Sequence, residues 1–236
     1  MSILKKKNKK NRRSIAGAAV PVFLLAISAA VILPDKAWSQ EEPSTFKFSG
    51  DSTSISFSED DRRTILTGNA RIRSEDLLIL ADKIELSGED FRYARGRGNV
   101  QVENSSQKIT LTTESLFYDR EREFVRIRDY AEMVDLKNEI IVKCGYLEYF
   151  SESELAIFQI GVRILKASED GQMVCRSDFA RYDRNADSLQ LSGDPVVYWK
   201  GDRYSAVSIT INLETDEISL EGDVEGEFTA DNEQEE

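Results

Sequence analysis

The chain contains no histidine among its 236 residues and only two cysteines, Cys144 and Cys175. The absence of histidine removes the usual general base near neutral pH and the commonest metal ligand. The sequence also shows no grouping of nucleophile, base and oxyanion donors, no phosphate-binding loop and no metal-ligand cluster. We therefore expect no enzymatic activity, no cofactor and no metal site.

Positive charge is scarce beyond the first 39 residues. Residues 40–236 contain 23 basic and 42 acidic side chains, which gives a net charge of −19. Nucleic acids and anionic bilayer surfaces bind clustered positive charge. The charge balance therefore argues against nucleic acid as a partner.

The first 39 residues have the organisation of an export signal. Seven basic residues lie between Lys5 and Arg13, an apolar run extends from Ile15 to Leu33, and Ala37-Trp38-Ser39 is a signal-peptidase pattern. The alternative is an uncleaved inner-membrane anchor, because 19 residues of this kind can just span a bilayer. Either interpretation places the remainder in the periplasm, as one domain over residues 40–230 and a disordered acidic tail over 231–236.

A repeat of about thirty residues runs along this domain, and no segment after residue 40 has a convincing helical period. A bulky residue recurs at Phe57, Leu86, Tyr118, Tyr149, Tyr182 and Ile211. A small residue recurs at Ala70, Val100, Ala131, Val162, Val196 and Val224. Repeats of this length are typical of stacked supersecondary units.

Each copy contains about two β-hairpins of alternating apolar and polar residues. The alternation slips by one position at a polar corner, since Ile109 and Leu111 are odd whereas Leu116 and Tyr118 are even. A bend or bulge must then restore the inward face. We expect two facing antiparallel sheets, with corner acids that accept backbone hydrogen bonds at Asp82, Glu114 and Asp178.

The two cysteines occupy the same segment of successive copies. In an antiparallel meander one strand should lie between them, which separates them by roughly 9.5 Å. A disulfide needs Cα atoms closer than about 7 Å, so we predict no bridge. Parallel strands would instead make the cysteines neighbours and allow one.

The apolar residues of the two inner faces form a continuous seam. Its predicted members are Ile72, Leu78, Leu80, Ile84, Leu86, Val100, Val102, Ile109, Leu111, Leu116, Tyr118, Met133, Ile140, Val142, Leu147, Tyr149, Ala180, Tyr182, Val196 and Tyr198. Alternation alone allows two interpretations of this seam, a dry sandwich core or an open groove.

Several motifs resemble those of a known family. Ala81-Asp-Lys-Ile-Glu-Leu86 is followed by Gly98-Asn-Val-Gln-Val102, with Thr67-Gly-Asn-Ala70 before them and looser copies at 113–118 and 177–182. This pattern is similar to that of the OstA-like family of periplasmic lipopolysaccharide-transport proteins, which includes LptA, LptC and the N-terminal domain of LptD. The resemblance covers about residues 45–228.

The resemblance implies an all-β fold, an elongated open antiparallel jelly roll whose splayed sheets shelter acyl chains. It implies a groove lined by the seam residues other than Ile140, Ala180, Val196 and Tyr198. The net charge of −19 suits a groove that binds acyl chains but not phosphates, so we expect the glycolipid head group to lie in solvent. The resemblance also implies pairing through edge strands with LptC-like and LptD-like proteins, or with further copies of the chain. The expected function is an LptA-like carrier; the alternatives are an inner-membrane-anchored LptC-like component and a scaffold with a closed core.

Overall fold

The computed structural model describes residues 46–58, 61–168 and 171–229. The predicted export signal or anchor, residues 1–39, and the acidic tail, residues 231–236, lie outside these ranges. Within them, no helix has both the length and the apolar character needed to cross a membrane. The described chain consists of strands, their connections and a single 3₁₀ turn at Glu89–Phe91.

Eighteen strands, all paired antiparallel, make up the described domain. They are β1 Lys47–Ser49, β2 Ser52–Ser58, β3 Asp61–Arg73, β4 Leu77–Ser87, β5 Tyr93–Asn104, β6 Ile109–Asp119, β7 Phe124–Ile127, β8 Ala131–Asp135, β9 Ile140–Cys144, β10 Tyr146–Phe150, β11 Leu155–Ser168, β12 Gly171–Asp183, β13 Ser188–Ser192, β14 Val196–Trp199, β15 Asp202–Ser205, β16 Ser208–Asn212, β17 Ile218–Glu221 and β18 Glu225–Glu227. The predicted all-β, antiparallel class is confirmed.

The strands form two sheets that share one core, as in a jelly roll. Sheet I has the pairing order β2-β3-β4-β5-β6-β7-β10-β11-β12-β13-β16-β17. Sheet II has the order β1-β3-β4-β5-β6-β8-β9-β11-β12-β14-β15-β18. Six long strands belong to both sheets because each bends near its middle, and their inner side chains pack into one buried cluster.

Two-residue corners in the left-handed backbone region lie at the bends of β3, β5 and β11, and also between β13 and β14 and between β17 and β18. Gly68-Asn69, Gly98-Asn99, Ile160-Gly161, Gly193-Asp194 and Gly222-Asp223 all have positive φ at both residues. The register of neighbouring strands shifts at the first three of these corners. Corners of this kind recur at about the predicted period, and the register shifts confirm the expected slip between Leu111 and Leu116.

The corner acids hold neighbouring corners together. Asp82 accepts a hydrogen bond of 2.9 Å from the Asn99 side-chain amide, and Asp51 accepts an equal one from Asn69. Asp178 instead contributes its backbone N–H, which donates to the Gly193 carbonyl at 2.9 Å. The acceptor role predicted for Asp82 is thus present, although its donor is a side chain rather than the backbone.

Two residues of β4 that were predicted to face the seam lie on the outer face of the sheet instead. Leu80 pairs with Arg71 and Gln101 on the solvent side of sheet II, and Leu78 shares that face. Ile79 is the buried residue of this segment. The slip expected at Glu114 also occurs at Asp82, where the register shifts between Leu80 and Lys83, so the inward positions change parity there.

The inward face is also mispredicted in β14, and the last two positions of the small-residue repeat, Val196 and Val224, are not buried. Val197 is buried in β14, whereas Val196 is half-buried and Tyr198 is 40% exposed on the outer face. Val224, after the corner at Gly222, is exposed. The predictions that Val196 and Tyr198 point inward are therefore wrong, because the strand leaves its corner one position out of phase with the pattern.

The cysteines lie on β9 and β12, with β11 between them. The predicted intervening antiparallel strand is confirmed. Both are free buried thiols. Burial raises the pKa of Cys144 to about 11 and that of Cys175 to about 12, so both are protonated at neutral pH.

Candidate functional site

The two sheets separate along the side where their hairpin loops face each other. A cavity of about 790 Å³ lies between them in the first half of the domain. Val102, Ile109 and Leu111 of sheet II form one wall, and Tyr118, Val125 and Tyr149 of sheet I form the other. The strand walls of the cavity are apolar, and polar residues such as Ser74, Asn104 and Ser151 line it on the loop side, from which it is reached.

A smaller cavity of about 200 Å³ adjoins it and shares Leu77 and Tyr118 with it. Its other apolar lining residues are Phe46, Ile72, Ile79, Leu86, Phe91 and Ala94. We call these two adjoining cavities the groove. Burial raises the pKa of Tyr118 and of Tyr149 to about 12, so their hydroxyls leave the walls uncharged.

Charged and polar loops surround the opening of the groove. Lys47 and Arg73 are cross-strand neighbours on this rim, and Glu123 stands on the rim of both cavities. The Arg120 guanidinium lies 5.1 Å from the centroid of the Phe46 ring. An apolar interior with a charged rim suits an amphipathic ligand whose polar end remains in solvent.

The predicted groove residues divide into three groups. The first lines the groove and contains Ile72, Leu86, Val102, Ile109, Leu111, Tyr118 and Tyr149. The second is buried in the core outside the groove and contains Ile84, Val100, Leu116, Met133, Val142, Leu147 and Tyr182. The third, Leu78 and Leu80, lies on the outer face.

Other lining residues were not predicted from the sequence, notably Leu77, Ile79 and Val125. Allowing for the register slip at Asp82 would have placed Leu77 and Ile79, rather than Leu78 and Leu80, on the inward face of β4. Phe46 and Phe91 lie next to strand ends, where alternation gives no information.

Beyond Gln107 and Tyr149 a buried polar network joins the sheets. The Arg184 guanidinium donates from Nε to Asp135 Oδ2 at 2.6 Å and from Nη1 to Glu154 Oε2 at 2.9 Å. Its Nη2 donates to the Gln107 carbonyl at 2.8 Å. Asp135 ends β8 in sheet II and Arg184 follows β12 in sheet I, so the ion pair spans the gap between the sheets.

Two tyrosines extend this network. The Tyr182 hydroxyl donates to Asp135 Oδ2 at 2.6 Å, and the Tyr149 hydroxyl donates to Gln107 Oε1 at 2.9 Å. The Gln107 side-chain amide donates to the Ser151 carbonyl at 3.2 Å. The side-chain oxygen and the backbone carbonyl oxygen of Gln107 therefore both accept hydrogen bonds. Because Gln107 and Tyr149 line the larger cavity, the network is connected directly to the groove wall.

The ion pair is charged at neutral pH. Burial favours the neutral acid at Asp135, but the hydrogen bonds from Arg184 and Tyr182 outweigh it and lower the pKa of that carboxyl. Burial likewise disfavours the Arg184 cation, and the hydrogen bond to Asp135 outweighs this and raises the Arg184 pKa. Burial and the bond donated to Asp135 raise the pKa of Tyr182.

Past this network the interior is closed. Phe158, Ile164, Leu189, Leu191 and Ile209 are all 0–1% exposed. A cavity of about 500 Å³ in this half is lined mainly by polar loop residues such as Lys137, Asn138, Glu214 and Asp216. The dry-core interpretation therefore describes the second half of the domain, and the open-groove interpretation describes the first.

No group of three or more His, Cys, Asp or Glu side chains in residues 46–58, 61–168 and 171–229 is placed to hold a metal ion. Within those ranges, the apolar groove is the feature best suited to bind a ligand.

Comparison with known proteins gives likenesses to solved structures and a match to one family. No curated protein matches the chain. Seventeen chains of solved structures match. One is LptH of Pseudomonas aeruginosa, described as the LptA-homologous periplasmic component of the conserved lipopolysaccharide transport device; it is 6% identical, with a TM-score of 0.26 over 79% of this chain and 96% of that one.

That score and identity are too low for a residue-by-residue comparison. The sequence pattern of the family described as OstA-like protein matches residues 51–173, which is more than half of the chain. The chain therefore belongs to the OstA-like family.

Proposed function

We propose that this protein is a non-enzymatic carrier that shelters the acyl chains of lipopolysaccharide, or of a similar envelope glycolipid, during transport to the outer membrane. The observation that supports this most strongly is the groove between the two sheets, which is apolar within and charged at its rim. Each methylene that moves from water into such a groove contributes about 0.8 kcal/mol. A cavity of about 790 Å³ lies within the range of known ligand sites.

The polar end of the ligand would lie at the rim. Lys47 and Arg73 stand directly opposite each other there, and like charges in this position destabilise a strand pair. In the described ranges neither side chain forms an ion pair. A negatively charged head group between them would remove this repulsion, whereas one next to Glu75, Asp76 or Glu123 of the same rim would be repelled.

The location we propose is the periplasm, supported by the basic and apolar segments of residues 1–39. A cleaved signal gives a soluble LptA-like carrier, and an uncleaved one gives an anchored LptC-like component. The mass of the protein purified from its native host distinguishes them, because a chain that begins at Gln40 has lost the segment.

The proposed protein partners are other OstA-like proteins, LptC-like or LptD-like, or a second copy of this chain. The supporting feature is the outer strand β2, which in the described part of the chain pairs only with β3. Residues Ser52–Ser58 of this strand contain no charge or proline, the residues that usually protect an edge. The last strands differ, since β17 and β18 contain Glu221, Glu225 and Glu227.

The carrier function is tested by a matched pair of substitutions in β4. Leu77 is half-buried and lines the groove, whereas Leu80 is half-buried on the outer face opposite Arg71. We expect Leu77→Glu to weaken binding of a fluorescent acyl probe at least tenfold, because the carboxylate places charge in the apolar space. Leu80→Glu should bind as the wild type does.

Equal binding by Leu77→Glu and the wild type, with both proteins folded by circular dichroism, would contradict the carrier function. The competing function is a scaffold, which the closed core of the second half favours. Organic extraction separates the two, since a carrier purified from its host releases lipid and a scaffold releases none.

A further inference from the structure

We propose that the network around Arg184 and Asp135 is the end wall of the groove, so that acyl chains enter the first half of the domain and stop there. The inference rests on the proposed function and concerns the extent of the same site. It makes the groove blind at one end.

The position of the network is the first argument. Gln107 and Tyr149 line the larger cavity, and each is hydrogen-bonded within the network. Arg184 lies directly behind them. The wall of the cavity and the network are therefore continuous.

The change in packing across the network is the second argument. On the groove side, two adjoining cavities of about 790 Å³ and 200 Å³ lie between the sheets. On the far side, Phe158, Leu189 and Ile209 are 0–1% exposed. The apolar interior continues past Arg184, but its space is filled by side chains from both sheets.

The chemistry of the barrier is the third argument. Arg184 and Asp135 each have a side-chain exposure of 2%, and the guanidinium uses all three nitrogens in hydrogen bonds. An acyl chain that advanced past them would separate buried opposite charges and offer no hydrogen bond in return. Beyond the wall, Phe158, Leu189 and Ile209 already fill the space between the sheets, so the chain would bury little further apolar surface in compensation.

The test is photo-labelling of the full-length protein with a diazirine-bearing fatty acid, followed by peptide mapping. We expect adducts on peptides that contain Val102, Leu111, Tyr118 and Tyr149, and none on peptides that contain Leu189 or Ile209. Adducts at Leu189 or Ile209 in the wild type would overturn the end wall and leave the carrier function intact. An absence of adducts anywhere in the chain would overturn the carrier function and the wall with it.

The double variant Asp135→Ala/Arg184→Ala removes both charges and opens space behind Tyr149. Because Tyr182 contacts Asp135 and borders this space, we expect at least fivefold more label on the peptide that contains Tyr182 than in the wild type. An unchanged pattern in the folded variant would overturn the wall.

A chain-length series with the wild type tests the wall without any variant. Affinity should rise about fourfold per methylene until the groove is full and then level off. A rise that continues through the longest saturated chains would contradict a blind groove.

Discussion

At the scale of single residues, Arg184 is the largest of the fully buried side chains. Its charge is tolerated because Asp135, Glu154 and the Gln107 carbonyl all accept hydrogen bonds from it. Removing one partner of a buried ion pair leaves an uncompensated charge, which typically costs about 3–5 kcal/mol. Removing both partners often costs much less.

We expect Arg184→Met to lower the free energy of unfolding by about 3–5 kcal/mol. Asp135→Leu/Arg184→Met should lower it by less than the single change does, because no isolated charge remains. Denaturant unfolding of both variants and the wild type measures this. A double variant less stable than Arg184→Met would show that the pair itself stabilises the fold.

The lowered pKa of Asp135 also makes stability depend on pH. A carboxyl with a depressed pKa in the folded protein contributes its full stability above its unfolded value of about 3.9, and the contribution disappears as the pH falls toward the folded value. We expect the wild type to lose more stability than Asp135→Asn between pH 5 and acidic pH. Parallel curves of unfolding midpoint against pH for the two proteins would contradict this.

At the scale of the strand, the corners decide how one chain makes two sheets. Gly98 has φ +74°, and a Cβ atom there would lie 2.9 Å from Asp82 Cβ. Gly161 has a similar φ of +62°, but a Cβ atom there would meet nothing within 4 Å. Both glycines have a left-handed backbone that another residue would adopt only with strain. Only Gly98 has neighbouring atoms where a Cβ atom would lie.

We expect Gly161→Ala to cost about 1–2 kcal/mol, the usual price of a left-handed L-residue. Gly98→Ala should cost at least about 1 kcal/mol more, because the corner must also open against Asp82. Thermal and denaturant unfolding compare the two. Equal losses would show that the contact between neighbouring corners is not important for stability.

Alternation of apolar and polar residues predicts the inward face of some strands but not of others. In the Ile109–Tyr118 segment, Thr110 separates Ile109 from Leu111 and four polar residues precede Leu116, so its slip and inward face follow from the sequence. Leu77-Leu-Ile-Leu80 and Val196-Val-Tyr-Trp199 are apolar at every position, so the pattern contains no phase information. There the corner determines the inward face, and our predictions for Leu78, Leu80, Val196 and Tyr198 were wrong.

At the scale of the whole domain, the extent of the groove could not be predicted. It depends on an ion pair between residues 49 positions apart, Asp135 and Arg184, which no local pattern connects. The family resemblance indicated an open seam along the whole domain. The packing shows an open first half and a closed second half, because side-chain volume and one buried network differ between repeats that look alike in sequence.

The outer strand β2 lacks the charged residues and prolines that usually protect a sheet edge. Ile55 is 46% exposed on β2, and a lysine there should discourage pairing with another strand edge. We expect Ile55→Lys to reduce concentration-dependent association of the full-length protein in sedimentation experiments. Leu136→Lys, at an exposed loop position away from the edge, should associate as the wild type does. Equal association by all three proteins would exclude β2 as the contact.

Native mass spectrometry of the protein purified from its own envelope shows whether the groove holds the acyl chains of an envelope lipid. We expect the wild type and Leu80→Glu to retain a bound glycolipid and Leu77→Glu to have lost most of it. Lipid-free wild-type protein, or equal lipid in all three proteins, would rule out the groove as the lipid site.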